Sequence, residues 1–353
     1  MESSDTTSIP VIDLSKTKNP ALRTELLVEL RRAVTSVGFL YISNHGVPQI
    51  VIESLIESLP QLFGLSTKEK EQIALHKSPH FLGYSAAGAE TTAGKADNRE
   101  QFEFATELTD DWTEDKPIAE RLRGPNQWPE AFPALRPILQ KYMSELTSLS
   151  ENFLKLVAEA LQLPELAFLP FLGDQHRLKL VRYPASTAGE EQGVGPHKDS
   201  SGWWTFLLQA SPAHVKGLQV LNKLGEWIDV PNLPGTFVVN VGQGFEVVTN
   251  GVCKATTHRV LSSVHERFSV PFFQGMRRSL TKKEAVGELQ EHFKQDRFGQ
   301  SDESKEGRCI DSAFLRGHYD TWGESQLRTK IRSHQNVGRI FYADVIEEYI
   351  NDG

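Results

Sequence analysis

Between Leu178 and Gln274 the chain is a succession of short β-rich runs punctuated by Pro and Gly. A parallel α/β sheet needs a helical crossover to return each strand. Strands this closely spaced pair as antiparallel neighbours instead, and the fold class expected is mainly β with flanking helices (α+β) around a double-stranded β-helix, or jelly roll.

The flanks read as helical. Leu22, Leu26, Leu30, Val34 and Val37 recur at helical spacing and stop at Gly38; Phe39 to Ile42 then reads as a buried strand closed by Asn44-His-Gly. A second helix is expected from Val51 to Phe63, and loops with short strands from about His76 to Gln127. Leu135, Leu139, Tyr142, Leu146, Leu149, Phe153, Leu156 and Ala160 mark one long amphipathic helix that ends before Pro164. From about Thr281 the tail returns to helix, with a charged loop from Gln300 to Arg308. The expectation is one domain over residues 1–353, with an N-terminal region over about 8–175, the core over about 176–280 and a helical C-terminal region over about 281–353.

Composition narrows the function classes. A net charge of -8 without a Lys/Arg cluster argues against nucleic acid as a partner. There is no apolar run near the ~18 residues of a membrane span and no N-terminal signal region, so the expected setting is cytoplasmic, with no membrane partner. Cys253 and Cys309 are too few and too far apart for a disulfide framework, and Cys253 reads as a buried free thiol. The oligomeric state is left open.

The chemistry is carried by His197-Lys198-Asp199, by His258, and by Arg267-Phe268-Ser269. On a strand His197 and Asp199 share a face and Lys198 points away, so two imidazoles and a carboxylate can hold a redox metal while its opposite side stays open. Arg267 and Ser269 likewise share a face and can grip one carboxylate. The bland reading, a hydrogen-bonded His-Asp turn with an unrelated core histidine, is the usual one for an isolated H-x-D. Zinc on the same three side chains, in a hydrolase, is a further reading.

The surrounding series decides between them. Gly195-Pro-His-Lys-Asp-Ser, Gly217-Leu-Gln-Val, the run from Trp227 to Gly242 and Thr249-Asn-Gly through His258-Arg-Val resemble the isopenicillin N synthase-like group of Fe(II)/2-oxoglutarate dioxygenases, as do Ile9-Pro-Val-Ile-Asp-Leu and Gly38-Phe-Leu-Tyr-Ile near the N-terminus. The resemblance implies Fe(II) on His197, Asp199 and His258, and 2-oxoglutarate on Arg267 and Ser269 with Tyr183. It implies O2 as co-substrate and the oxidation of a small organic substrate by hydroxylation, desaturation or ring closure, with succinate and CO2 released. An isopenicillin N synthase-like oxidase that uses no 2-oxoglutarate, and a ligand-binding module that keeps the fold without turnover, are the alternatives. The chain departs from the group at Val181, Ser200 and Gln243, where relatives often carry Asn, an aromatic residue and Asp.

For the substrate, Phe81 to Lys95 resembles a stretch of fungal members and of the bacterial ethylene-forming enzyme. This places Glu90 and Thr92 at the substrate entrance, with Arg332 entering from the C-terminal helix; the bland reading is a Glu90–Arg332 surface ion pair. Trp203, Trp204 and Phe206 could line an apolar chamber, with core packing the commoner role. His45, His214 and His265 read as structural or solvated.

Overall fold

The computed structural model describes residues 8–92, 94–186, 192–200, 202–293 and 310–351. The first strands in the chain are β1 (Val11–Asp13), β2 (Phe39–Ser43), β3 (Gly83–Ser85), β4 (Thr91–Thr92), β5 (Lys95–Ala96) and β6 (Glu100–Ala105). The core adds β7 (Arg177–Tyr183), β8 (Gln192–His197), β9 (Trp204–Gln209), β10 (Leu218–Leu221) and β11 (Trp227–Asp229), then β12 (Thr236–Val241), β13 (His258–Leu261) and β14 (Arg267–Phe273).

These strands make a large sheet in the order β1-β2-β12-β9-β14-β7-β6-β3, a second sheet in the order β11-β10-β13-β8, and a small β4-β5 ribbon. Among the described residues every pairing of these strands is antiparallel except β1 with β2. The jelly-roll core expected from the sequence is the fold observed.

Alternation sorts the side chains of the large sheet between two interiors. Leu40, Ile42, Leu178, Leu180, Phe237 and Val239 face the helices. Phe39, Tyr41, Val181, Tyr183 and Val238 face the second sheet, where they meet Val194, Leu218, Val220 and Val260. The helical interior is built on Leu135–Ala160, which buries the stripe predicted for it and sets Phe153 edge-on to Trp204 and Phe206 at 5.4 and 5.7 Å. Trp203, Trp204 and Phe206 all belong to this interior, so none of them lines a substrate chamber.

The first helix, Pro20–Arg32, is capped by Asn19 and runs through a wide turn, Ala33–Val37, into Gly38. Gly38 has φ +74°, and a Cβ there would lie 2.2 Å from the Lys254 carbonyl oxygen, so only glycine lets the strand β2 start here. Gln49–Phe63 forms the second helix.

The stretch from 76 to 127 holds more core than expected. Strand β6 is buried along its whole length and pairs with β7 from Glu100–Arg182 to Ala105–Arg177. Gln101 and Glu103 alternate with Phe102 and Phe104, and Glu103 turns into the barrel cavity. The Gln300–Arg308 loop and Cys309 lie outside the described residues. A capping box of Thr321 and Glu324 opens the helix Trp322–Ser333, which docks on the barrel with Gln326 donating to the Ser200 carbonyl at 2.8 Å. No described helix is long and apolar enough to cross a membrane.

Candidate metal centre

Strand register brings the two histidines together. His197 ends β8 and His258 begins β13, and the two are direct cross-strand partners with ring centres 4.3 Å apart. Asp199, two residues past His197, lies against both, with its Oδ1 3.7 Å from each Nε2. Ligand atoms of the three residues all fall within 4.8 Å of one another, and theirs is the one such group of His, Cys or carboxylate residues among the described residues.

Each side chain is held by its other polar atom. His197 Nδ1 is 2.8 Å from the Gly195 carbonyl and His258 Nδ1 is 3.1 Å from that of Thr256. A carbonyl can only accept, so the proton sits on Nδ1 and the lone pair of Nε2 is left for a ligand. Asp199 Oδ2 accepts from Thr205 at 2.5 Å and Asn240 at 2.7 Å, which aims Oδ1 at the histidines. Burial, and then the neighbouring His258, push the His197 pKa down and keep the ring neutral. Burial works against the Asp199 charge, but His258, His197, Asn240 and Thr205 outweigh it and hold its pKa below the ordinary value. Neutral imidazoles beside an ionised carboxylate are the donor set of a divalent metal.

These residues open onto a cavity of about 320 Å³ whose walls include Phe39, Val181, Leu207, Leu218 and Val260. Arg267 and Ser269 enter it from β14, and Tyr183 faces Arg267 across the β7–β14 ladder. The Arg267 guanidinium carbon lies 5.1 Å from the centre of the Tyr183 ring. Arg267 is 2% exposed, yet its hydrogen bond to Gln209 is long, at 3.4 Å, and Nη1 finds no acceptor among the described residues. Burial lowers the pKa of this guanidinium, with Tyr183 opposing. A buried cation with an unused donor facing a cavity is a seat for an anion.

At the far end of the cavity the sequence reading was incomplete. Glu90 and Thr92 do line it, but Glu90 is not a surface partner of Arg332. It accepts from Gln101 at 2.5 Å, Arg99 at 2.7 Å and His334 at 2.9 Å. Burial raises its pKa, and Lys179, Arg99 and His334 outweigh that, so it stays well below the ordinary value. Thr92 donates to Asp97 at 2.7 Å. Arg332 is exposed and borders a neighbouring cavity with His76 and Tyr84, because two residues along a helix turn the side chain to the opposite face. Lys330 and His334 are the ones that turn inward, while exposed Ser333 borders both cavities.

Lys198 turns to Glu246 at 3.5 Å. His45 packs on Phe237, and His214 and His265 stack edge-to-face on each other, all outside the cavity. Cys253 is a buried free thiol, its pKa raised by burial. Gln243, at the departure from Asp, uses its backbone N–H on the Asp199 carbonyl at 2.8 Å and its side chain on the Asp311 carbonyl at 2.7 Å. The sequence signal missed was β6: a strand whose polar residues alternate with Phe beside a metal-bearing barrel.

Two family models match the chain, a non-haem dioxygenase N-terminal family (in morphine synthesis) over residues 9–131 and the 2OG-Fe(II) oxygenase superfamily over residues 174–275. A 2-oxoglutarate-dependent dioxygenase of Dothideomycetidae sp. (strain 11243) is 41% identical over 94% of this chain and 91% of its own length. A homoarginine-6-hydroxylase of Glycine max is 32% identical over 76% of this chain and 86% of its own. Among solved structures, a putative 2OG-Fe(II) oxygenase family protein of Caulobacter crescentus matches with a TM-score of 0.69 at 26% identity, covering 84% of this chain and 95% of that one. The chain belongs to the 2OG-Fe(II) oxygenase superfamily, as a non-haem iron dioxygenase that uses 2-oxoglutarate and O2.

Proposed function

We propose that His197, Asp199 and His258 hold the Fe(II), and that Arg267, Ser269 and Tyr183 receive the distal carboxylate of 2-oxoglutarate. The observation that carries this reading is the unused Nη1 of buried Arg267, in the same cavity as a triad whose free atoms all converge. The residues fit the group they are asked to hold. Both imidazoles are fixed with Nε2 unprotonated, and Asp199 keeps one oxygen for hydrogen bonds and one for the metal.

When bound, Fe(II) and 2-oxoglutarate supply the oxidising chemistry, with succinate and CO2 as by-products. The chain supplies position and exclusion of water. Arg267 and Ser269 share the inward face of β14, so both reach one carboxylate, and the ion pair gains strength from burial. Phe39, Val181, Leu207, Leu218 and Val260 make the apolar wall that keeps bulk water from the reacting centre.

The substrate of this reading is a small amino-acid-like molecule. Support comes from the soybean relative named for homoarginine hydroxylation and from the polar residues Glu90, Thr92 and Lys330 on the cavity wall. The test is succinate release from 2-oxoglutarate with Fe(II) and O2. Release should be stimulated by at least one amino acid of a library, and should fall in Arg267→Ala with 2-oxoglutarate affinity falling in step. Unchanged 2-oxoglutarate binding in that variant would move the co-substrate seat elsewhere.

A further inference from the structure

Strand β7 runs the length of the cavity with Arg177, Lys179, Val181 and Tyr183 all on its inward face. Tyr183 pairs with Arg267 at one end, and Arg177 pairs with Phe273 at the other. At ~3.4 Å per residue, Lys179 stands about 14 Å along the strand from Tyr183. The charges at the Lys179 end are therefore a second subsite, separate from the Arg267 seat.

That second subsite has one cation too many. Lys198 is balanced by Glu246, and Arg267 by the co-substrate it is proposed to bind. Four cations remain, Arg99, Arg177, Lys179 and Lys330, against three carboxylates, Glu90, Asp97 and Glu103. Arg99 takes Glu90 and Asp97, at 2.7 and 3.2 Å. Arg177 and Lys330 share Glu103 Oε1, at 2.7 and 2.5 Å. Lys179 is left between Glu90 and Glu103 at 3.9 and 3.8 Å, and its ammonium makes no side-chain hydrogen bond to any described residue. An ammonium that lines the cavity, sits beyond hydrogen-bond distance of both carboxylates and leaves its three donors turned to open space can take an anion from a ligand.

We infer that the substrate carries a carboxylate that docks on Lys179, with Lys330 beside it, at the end of the cavity opposite Arg267. This deepens the proposed function by naming the substrate's anchoring group, and it rests on the assignment of Arg267 to 2-oxoglutarate. Burial already pushes the Lys330 pKa down to about 8 against the pull of Glu103, as expected of a cation awaiting a further anion. An amino acid fixed here by its carboxylate extends its side chain along β7 past Val181 toward the metal-bearing strands. The carbon oxidised then belongs to the side chain rather than to the carboxylate end.

The test uses the full chain with Fe(II) and 2-oxoglutarate under anaerobic conditions. The probes are L-homoarginine, L-glutamine and L-leucine, each beside its own carboxamide, with binding followed by calorimetry. At least one free acid should bind tenfold or more tightly than its amide, and Lys179→Gln should reduce that preference below about threefold while 2-oxoglutarate binds as before. Lys330→Gln should reduce it in the same direction, which guards against a folding defect in one variant. Equal binding of acid and amide, binding by none of the six probes, or a preference that survives Lys179→Gln would overturn the inference. Failure of 2-oxoglutarate itself to bind the unsubstituted protein would instead strike the Arg267 assignment, so the two failures are told apart.

Discussion

Asn240 on β12 donates a 2.7 Å hydrogen bond to Asp199 Oδ2, so a residue from the large sheet orients the carboxylate that faces the two histidines of the small one. The candidate metal centre is thus a joint product of both sheets. Asn240 is 3% exposed, and water cannot readily replace it.

Asn240→Ala should weaken Fe(II) binding by about tenfold to a hundredfold, the usual effect of losing a partner that orients a metal ligand. Thr205 still donates to the same oxygen, so the site should loosen rather than vanish. Titration with Fe(II) under argon checks this; unaltered affinity would mean that Thr205 alone suffices.

Arg267→Lys keeps a charge but loses the fork, and should weaken 2-oxoglutarate binding by about 1–3 kcal/mol. Ser269→Ala removes one neutral donor and should cost less. Calorimetric titration of 2-oxoglutarate ranks the two, and a larger loss for the serine would reverse the assignment of the main anchor.

Glu90→Ala should lower stability by about 2–3 kcal/mol, because Arg99 loses a charge-assisted partner inside the protein and keeps only Asp97. Urea denaturation of the metal-free protein measures it. A change under about 0.5 kcal/mol, the size of an exposed ion pair, would restore the surface reading of Glu90.

His176 gives the protein an acid limit. It is buried, its Nδ1 accepts from the Gly275 N–H at 3.1 Å, and burial pushes its pKa down to about 4, with Asp174 opposing. The unfolded chain, near the ordinary 6.5, binds this proton more readily than the native protein does. Stability is therefore fully present above pH 6.5 and is lost as pH falls toward 4, by up to about 3 kcal/mol for one such group. His176→Gln, which can still accept from Gly275, should flatten the fall in thermal midpoint between pH 6.5 and 4.5. Parallel curves for the two proteins would assign the acid limit to other groups.

The convergence of His197, Asp199 and His258, and the inward turn of Arg267, were legible because strand alternation and chemistry coincide: residues two apart share a face, and H-x-D and R-x-S each use that spacing. The jelly roll was legible for a similar reason, since short β-rich runs follow one another and, among the described residues, only the six-residue helix Gln243–Val248 interrupts them. What stayed hidden depended on what a charged side chain faces. Glu90 was singled out in the sequence, but its partners Arg99 and Lys179, and Glu103 beside them, carry no motif and show themselves only once the fold turns β6 and β7 inward around a cavity. Helix phase hid the rest: Trp322–Ser333 was the right element, but Lys330 and not Arg332 points into the barrel, and two residues of helical register decide which.

The central claim is that His197, Asp199 and His258 form the iron site. Its most direct test is metal analysis of the chain reconstituted with Fe(II) under argon, beside His197→Ala, Asp199→Ala and His258→Ala, with circular dichroism to show that each remains folded. The unsubstituted protein should hold one iron per chain, and each folded variant should lose it together with tight 2-oxoglutarate binding. Stoichiometric iron retained in any two folded variants would contradict the assignment and place the metal elsewhere.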